Sequence, residues 1–198
     1  LVAGAVVVLG DDLLALGRVE ELEIGLGYRA RLLLVDVAVH DGHRRLYFRS
    51  WDQVDVAAIS GTDGATSPFF SPDGQWIGFF ADGKLKKVAI DGGAPVTLAD
   101  APTPRGEAWL PDDSILITAV NNVGLSRLSS VGGGALEPFS TVSTGELSHR
   151  WPRAVPGTSA VLFSVWNDTG WEPSRVAGQR LGERDHHVLV EGGGFPRP

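Results

Sequence analysis

The feature that most constrains this chain is a unit of about 40 residues, written three times: an apolar run, a tight turn, a second apolar run and, later, a glycine pair. The clearest copy is Ser67 to Phe80, SPFFSPDGQWIGFF, where apolar runs flank Ser71-Pro72-Asp73-Gly74. Pro72 presets φ for a central turn position, Asp73 can bond its own backbone, and Gly74 accepts a positive φ, so the stretch reads strand, turn, strand. The grammar returns at Ala108-Trp109-Leu110 with Pro111-Asp112-Asp113 and Ser114 to Ile117, and again at Arg150-Trp151 with Pro156-Gly157 and Val161-Leu162-Phe163. Trp109 lies 40 positions after Phe69 and Trp151 lies 42 after Trp109, so these three are expected at equivalent core positions, as are Phe79, Ile117 and Phe163.

Each copy has a second half, an amphipathic run closing on Gly92-Gly93, Gly132-Gly133 or Gly192-Gly193. A unit of this length holding about four short strands matches one blade of a β-propeller. The expected fold is therefore all-β, a partial β-propeller of about four blades built from four-stranded antiparallel sheets, after a short N-terminal helical or irregular segment. The expected blades are 29–65, 66–104, 105–147 and 148–193, with 194–198 opening a truncated next blade. Residues 1–28 are expected to be a cover helix or the tail of a membrane anchor, because the apolar run Leu1 to Leu9 is far shorter than the roughly 20 residues that span a bilayer. A row of blades without closure exposes apolar faces, so the isolated chain is expected to self-associate.

The SPDG turn after Pro68-Phe69-Phe70, the run Gln75 to Phe80, the Gly92-Gly93 pair and His149-Arg150-Trp151-Pro152 resemble TolB-like, SPDG-signature (WD-like) β-propellers. More narrowly, they resemble the propeller C-terminal to the kinase domain and membrane anchor of many bacterial serine/threonine protein kinases. The resemblance spans about Arg45 to Gly193. It departs where Pro111-Asp112-Asp113 replaces the full SPDG and where Pro156-Gly157 lacks the Asp. It implies a non-catalytic sensor or protein-interaction region on the periplasmic or extracytoplasmic side of a membrane-anchored parent. An accessory propeller of a prolyl-oligopeptidase-like hydrolase and a free-standing TolB-like scaffold are the alternatives.

The chemistry expected of this chain is set largely by what it lacks. There is no cysteine, hence no disulfide and no thiolate zinc site. There is no Gly-x-Ser-x-Gly elbow, no phosphate loop and no kinase signature, so no catalysis and no cofactor are expected. A net charge of −7 argues against a nucleic-acid partner, which needs clustered cations. Lys84, Lys86 and Lys87 do cluster, and they read as a solvated strand edge.

Histidines give the remaining signals. His40 and His43, and His186 and His187, read as polar turns rather than metal ligands, and His149 as a strand-start histidine bonding neighbouring backbone. Val165 to Trp171 reads as a long hairpin tip, with Trp166 exposed enough to matter less to stability than Trp109. The candidate contacts for a protein or small-molecule ligand are Arg105, Glu107, His149 and Arg150, polar residues at strand starts beside connecting loops.

Overall fold

The computed structural model describes the backbone of residues 6–7, 33–40, 43–50, 57–167 and 174–192, and within these the side chains of 44–47, 57–167 and 174–192. Among the described residues sixteen strands form four four-stranded sheets, and no helix occurs. The first sheet is β1 (Val6–Val7), β2 (Leu33–His40), β3 (His43–Ser50) and β4 (Ala57–Ala58). The second is β5 (Thr66–Phe70), β6 (Trp76–Ala81), β7 (Lys84–Ala89) and β8 (Val96–Asp100). The third is β9 (Glu107–Trp109), β10 (Ser114–Ile117), β11 (Ser126–Ser129) and β12 (Glu137–Pro138). The fourth is β13 (Ser148–Ala154), β14 (Ala160–Trp166), β15 (Arg175–Arg180) and β16 (His187–Val190). Within each sheet the strands follow one another in chain order, the simple meander of a propeller blade.

The first sheet is not wholly antiparallel. Val6 and Val7 pair in parallel with Leu33 and Leu34, so this part of the N-terminal segment joins the sheet. The helix or anchor tail expected over the rest of 1–28, and the truncated blade expected at 194–198, lie outside the described residues. Among the described residues no helix is long and apolar enough to cross a membrane.

The chain divides into two compact units, Leu1–Asp82 with Lys86–Val96, and Gly83–Leu85 with Thr97–Pro198. In the first, Leu46, Ile59, Ala65, Ile77, Phe79, Ala81 and Val88 form one buried cluster. In the second, Leu110, Leu116, Leu125, Val161, Phe163 and Val165 form another. The side chains of β6, β10 and β14 supply both clusters because these strands are flanked on both sides by partners and read as near-continuous apolar runs.

Three turns with different letters do one job. In Ser71-Pro72-Asp73-Gly74, Gly74 has φ 69°, its N–H donates to the Ser71 carbonyl, and the Ser71 N–H donates to the Trp76 carbonyl. Asp73 accepts the Gln75 N–H and the Ser71 hydroxyl. In the second copy Asp113 stands in the glycine's place at φ 63°, and Asp112 accepts both the N–H and the hydroxyl of Ser114. Asp tolerates the left-handed region better than most residues, so Pro-Asp-Asp closes the same turn. The third copy uses Pro156-Gly157, with Gly157 at φ 73° as a type II turn requires.

Pairing register corrects the expected equivalences. Phe70 faces Ile77, Trp109 faces Ile115 and Ala154 faces Val161, one residue before each turn, so Trp109 corresponds to Phe70 and Ala154 rather than to Phe69 and Trp151. The sequence spacing misleads because equivalent positions recur after 39 and then 45 residues, so an even spacing of 40 and 42 misplaces the aromatic residues. Phe79, Ile117 and Phe163 are equivalent as expected, and each is fully buried. A second repeat appears that residue types conceal: Ser67, Gly106 and Trp151, three positions before Phe70, Trp109 and Ala154, all have positive φ, at 47°, 105° and 50°. In β5 and β13 this position lies in a bulge.

Two further expectations change. β7 lies inside its sheet, so the lysine cluster is not a strand edge. Lys84 and Lys86 pair with Asp100 and Asp82 at 2.6 Å each, and Lys87 is buried with its ammonium 4.1 Å from the centre of the Trp76 ring, a cation–π contact. Trp166 is no loop tip either: it ends β14 opposite Ser148 and is half-buried, while Trp171 lies outside the described residues.

Trp109 remains the better anchor, at 7% exposure with its indole N–H on Asp113 at 2.8 Å. Trp109→Ala should cost about 3 to 5 kcal/mol, as for large core truncations. Val131→Ala, at a side chain 76% exposed, should stay within about 0.5 kcal/mol. Urea midpoints that shift alike for both would show that Trp109 does not anchor this packing.

Candidate functional site

The predicted site residues meet where β9 and β13 run side by side in the second unit. The Trp151 N–H donates to the Arg105 carbonyl at 2.9 Å, the Thr118 hydroxyl donates to the His149 carbonyl at 2.6 Å, and the His149 N–H donates to the Val123 carbonyl at 3.1 Å. Gly106 permits this approach, since a Cβ there would lie 2.6 Å from the Trp151 Cα. Because successive residues of a strand point to opposite faces, His149 and Arg150 are sent in opposite directions.

Arg150 is half-buried, donates from Nε to the Ser148 hydroxyl at 2.7 Å and lies 4.5 Å from the Trp166 ring centre. Trp166 in turn meets Trp151 edge-on, with ring centres 6.1 Å apart. Burial lowers the Arg150 pKa, and the charge of Arg105, which is itself exposed, adds to the effect. Among the described residues, neither arginine is ion-paired with a carboxylate. Glu107 keeps different company. Burial pushes its carboxyl up to about 7, and the charge of Arg153 opposes the shift.

His149 turns the other way and is fully buried, which corrects the expectation that its ring bonds backbone. Its Nδ1 is 2.6 Å from the Ser140 hydroxyl and its Nε2 3.1 Å from the Glu146 carboxylate. Glu146 is a hub, with its side chain 4% exposed. One oxygen also accepts the Ser143 N–H at 2.7 Å, while the other faces His186 Nε2 at 3.1 Å and Arg175 at 3.3 Å. Burial alone would raise the Glu146 carboxyl, but the Ser143 N–H and the two histidines hold it down at about 2. Burial lowers the His149 pKa to about 4 against the pull of Glu146, so the ring is neutral at pH 7.

Of the four predicted residues, Arg105 and Arg150 come together, Glu107 stands beside Arg153, and His149 belongs to the buried hub. Sequence reasoning missed Ser140, Glu146, Arg175 and His186. The polar-turn reading fails at both: His187 is exposed but opens β16 opposite Gly178, and His186 packs its ring 4.8 Å from that of His149 and 5.6 Å from that of Phe163. The only sequence signal was Glu146 three residues before His149, which gains meaning once β13 and β16 are placed. His40 and His43 end paired strands, but their side chains lie outside the described residues.

Ser140 also lines a cavity of about 500 Å³ together with Ala119, Val123, Leu125, Leu136 and Pro138, a mostly apolar hollow beside the third sheet. Its hydroxyl accepts the Leu125 N–H at 2.9 Å. Glu146, His149 and His186 are the described side chains able to hold a metal ion, with their ligand atoms within 4.8 Å of one another.

This architecture is that of a β-propeller. The chain is similar to a TolB from Agrobacterium tumefaciens, with a TM-score of 0.59 and 16% identity over 79% of this chain and 61% of that one. It is similar to a chain of a nidogen/laminin complex, with a TM-score of 0.58 and 12% identity over 77% and 60%. The propeller domain of the Trilobed protease from Pyrococcus furiosus matches with a TM-score of 0.52 and 13% identity over 80% and 53%. The chain thus spans about three fifths or less of these structures. No protein-family model and no curated protein matches the sequence.

Glu107 gives a pH test. Its folded pKa is raised, so it favours folding while protonated, and that contribution is lost as pH rises from about 4.5, its unfolded value, through about 7. The lowered values of Glu146 and His149 act with the opposite sign, and their contributions are lost on acidification. Glu107→Gln should therefore be more stable than wild type at pH 8, with the advantage gone near pH 4.5. A pH-independent difference between the two proteins would contradict the assignment.

Proposed function

We propose that this chain is a non-catalytic binding module of a larger protein, and that it receives an anionic group of a protein or small-molecule ligand at Arg105 and Arg150. The observation that carries this reading is the pairing of two like charges. Arg150 is held over an indole and half-buried, close to Arg105, and neither has a carboxylate partner among the described residues. Holding two guanidiniums near each other costs free energy that a bound anion recovers, and planar arginine suits bidentate recognition of carboxylate or phosphate. In a chain of net charge −7 such a patch is a local exception, which favours selective capture over general attraction.

The resemblance in Ser71 to Phe80 and His149 to Pro152 makes a bacterial receptor-type serine/threonine protein kinase our preferred parent, with catalysis in another domain. An accessory propeller of a hydrolase is the second reading, favoured by the likeness to the protease propeller domain. Flanking coding sequence separates them: a kinase signature upstream supports the first, a Gly-x-Ser-x-Gly downstream the second.

Tryptophan fluorescence supplies the binding test, since Trp166 lies under Arg150. Titration with a hexaglutamate peptide should give a saturable change that weakens with salt, while hexalysine gives none. Arg150→Ala should weaken binding about tenfold, which equals about 1.4 kcal/mol. The Arg105→Ala/Arg150→Ala double variant should abolish it. Undiminished binding by the double variant, or an equal response to hexalysine, would refute the anion site. Incubation with ATP and a general protein substrate should transfer no phosphate; transfer that persists through repurification would overturn the non-catalytic assignment.

A further inference from the structure

We infer that Glu146, His149 and His186 form a binding site for a divalent transition-metal ion of the zinc type, with the carboxylate and both Nε2 atoms as ligands and water in the fourth position. The ligands come from two places in the chain: Glu146 and His149 flank the start of β13, and His186 precedes β16. All three side chains are almost wholly removed from solvent, at 4%, 0% and 9% exposure. A surface acidic cluster would not look like this. Two imidazoles present the same ring nitrogen to one carboxylate, each at 3.1 Å.

That separation is close to what coordination needs. Zinc binds histidine nitrogen and carboxylate oxygen at about 2.0 to 2.2 Å, so tetrahedral neighbours lie roughly 3.3 Å from each other. The three ligand atoms lie within 4.8 Å of one another, so a small inward turn of the rings closes the set. A set of two imidazoles and one carboxylate suits zinc among the common ions, and three protein ligands leave a position for water.

The surroundings supply the support such ligands require. A metal-bound histidine donates its other ring N–H to a partner, which fixes the tautomer. Ser140 stands 2.6 Å from His149 Nδ1. Without an ion, Ser140 donates to Nδ1 while Nε2–H donates to Glu146. With Nε2 on the ion, the proton sits on Nδ1 and the same contact reverses, Ser140 accepting both that N–H and the N–H of Leu125. Phe163 packs 4.8 Å from the His149 ring and helps hold its plane.

Arg175 is the cation beside this set. Its contact with Glu146, at 3.3 Å, is the longest of the four that the carboxylate makes, and its buried Nε has no hydrogen-bond partner. It is therefore the group that an entering ion displaces. No ligand set of this kind persists in an unfolded chain, so metal binding stabilises the fold by mass action.

The test uses chain stripped with EDTA and titrated with zinc chloride by calorimetry and thermal unfolding. Wild type should bind one equivalent saturably and unfold at a higher temperature with zinc. His186→Ala and Glu146→Gln should each weaken binding at least about 100-fold, the upper end of what loss of a supporting partner costs. Ser140→Ala should weaken it about 10-fold to 100-fold, and His187→Ala should leave it unchanged. Because hub variants can fail to fold, wild type is also titrated with cobalt(II), whose visible absorption is intense in a tetrahedral site and weak in an octahedral one. Absence of saturable zinc binding, a cobalt spectrum without the tetrahedral band, or binding that His186→Ala retains in a folded variant would each overturn the site and leave the hub a network of hydrogen bonds alone.

Discussion

The structure depends on hairpin register, and register depends on where each turn places one residue in the left-handed region. Side chains alternate along a strand, so a slip of one position would carry Phe79, Ile117 or Phe163 out of the core and bring its neighbour in. The turns prevent this in three chemical dialects. A glycine at 74, an aspartate at 113 and a glycine at 157 all take positive φ. Side-chain acceptors from Asp73 and Asp112 hold the first two loops closed. Because the clamp is local, the apolar letters on either side are free to vary so long as their alternation survives.

A second left-handed position governs what the molecule presents. Ser67, Gly106 and Trp151 sit three residues before the hairpin end in three sheets, and only one of them is a glycine. For a residue as bulky as tryptophan this conformation is costly, and it persists where the surrounding packing over-determines it. At Trp151 that packing is visible: the N–H reaches Arg105, the indole meets Trp166, and Gly106 clears space for the backbone. The consequence lies in direction. Arg150 joins Trp166 on one side of β13, and His149 enters the core on the other.

The hub around Glu146 shows how a buried carboxylate is tolerated. A charge removed from water is stable only when its lone pairs are met, and here four donors reach two oxygens. His149 remains neutral at pH 7 in the same pocket because burial outweighs the attraction of Glu146. Loops and strand are thereby tied together, since Ser140 and Glu146 lie in the β12–β13 connection, Arg175 opens β15 and His186 lies in the β15–β16 connection.

Local chemistry was readable from the residues alone. Proline-centred turns, apolar runs of strand length and recurring glycine pairs determine strands, hairpins and an all-β repeat, because each depends on neighbours within a few positions. The fully buried row Phe79, Ile117, Phe163 was legible in the aligned copies, whereas Arg105, Glu107, His149 and Arg150 were chosen as polar residues at strand starts by analogy with other propellers. Only the tertiary structure could decide which tryptophan matches which, because equivalent positions recur after 39 and then 45 residues, an unevenness that strand pairing reveals and the letters do not. Only it could bury Lys87 over Trp76 and lift Trp166 off a loop tip, since strand order within a sheet is not written in a strand. The Glu146 hub was equally hidden: His186 lies 40 positions beyond its carboxylate, and such a distance acquires meaning only when β16 folds back along β15.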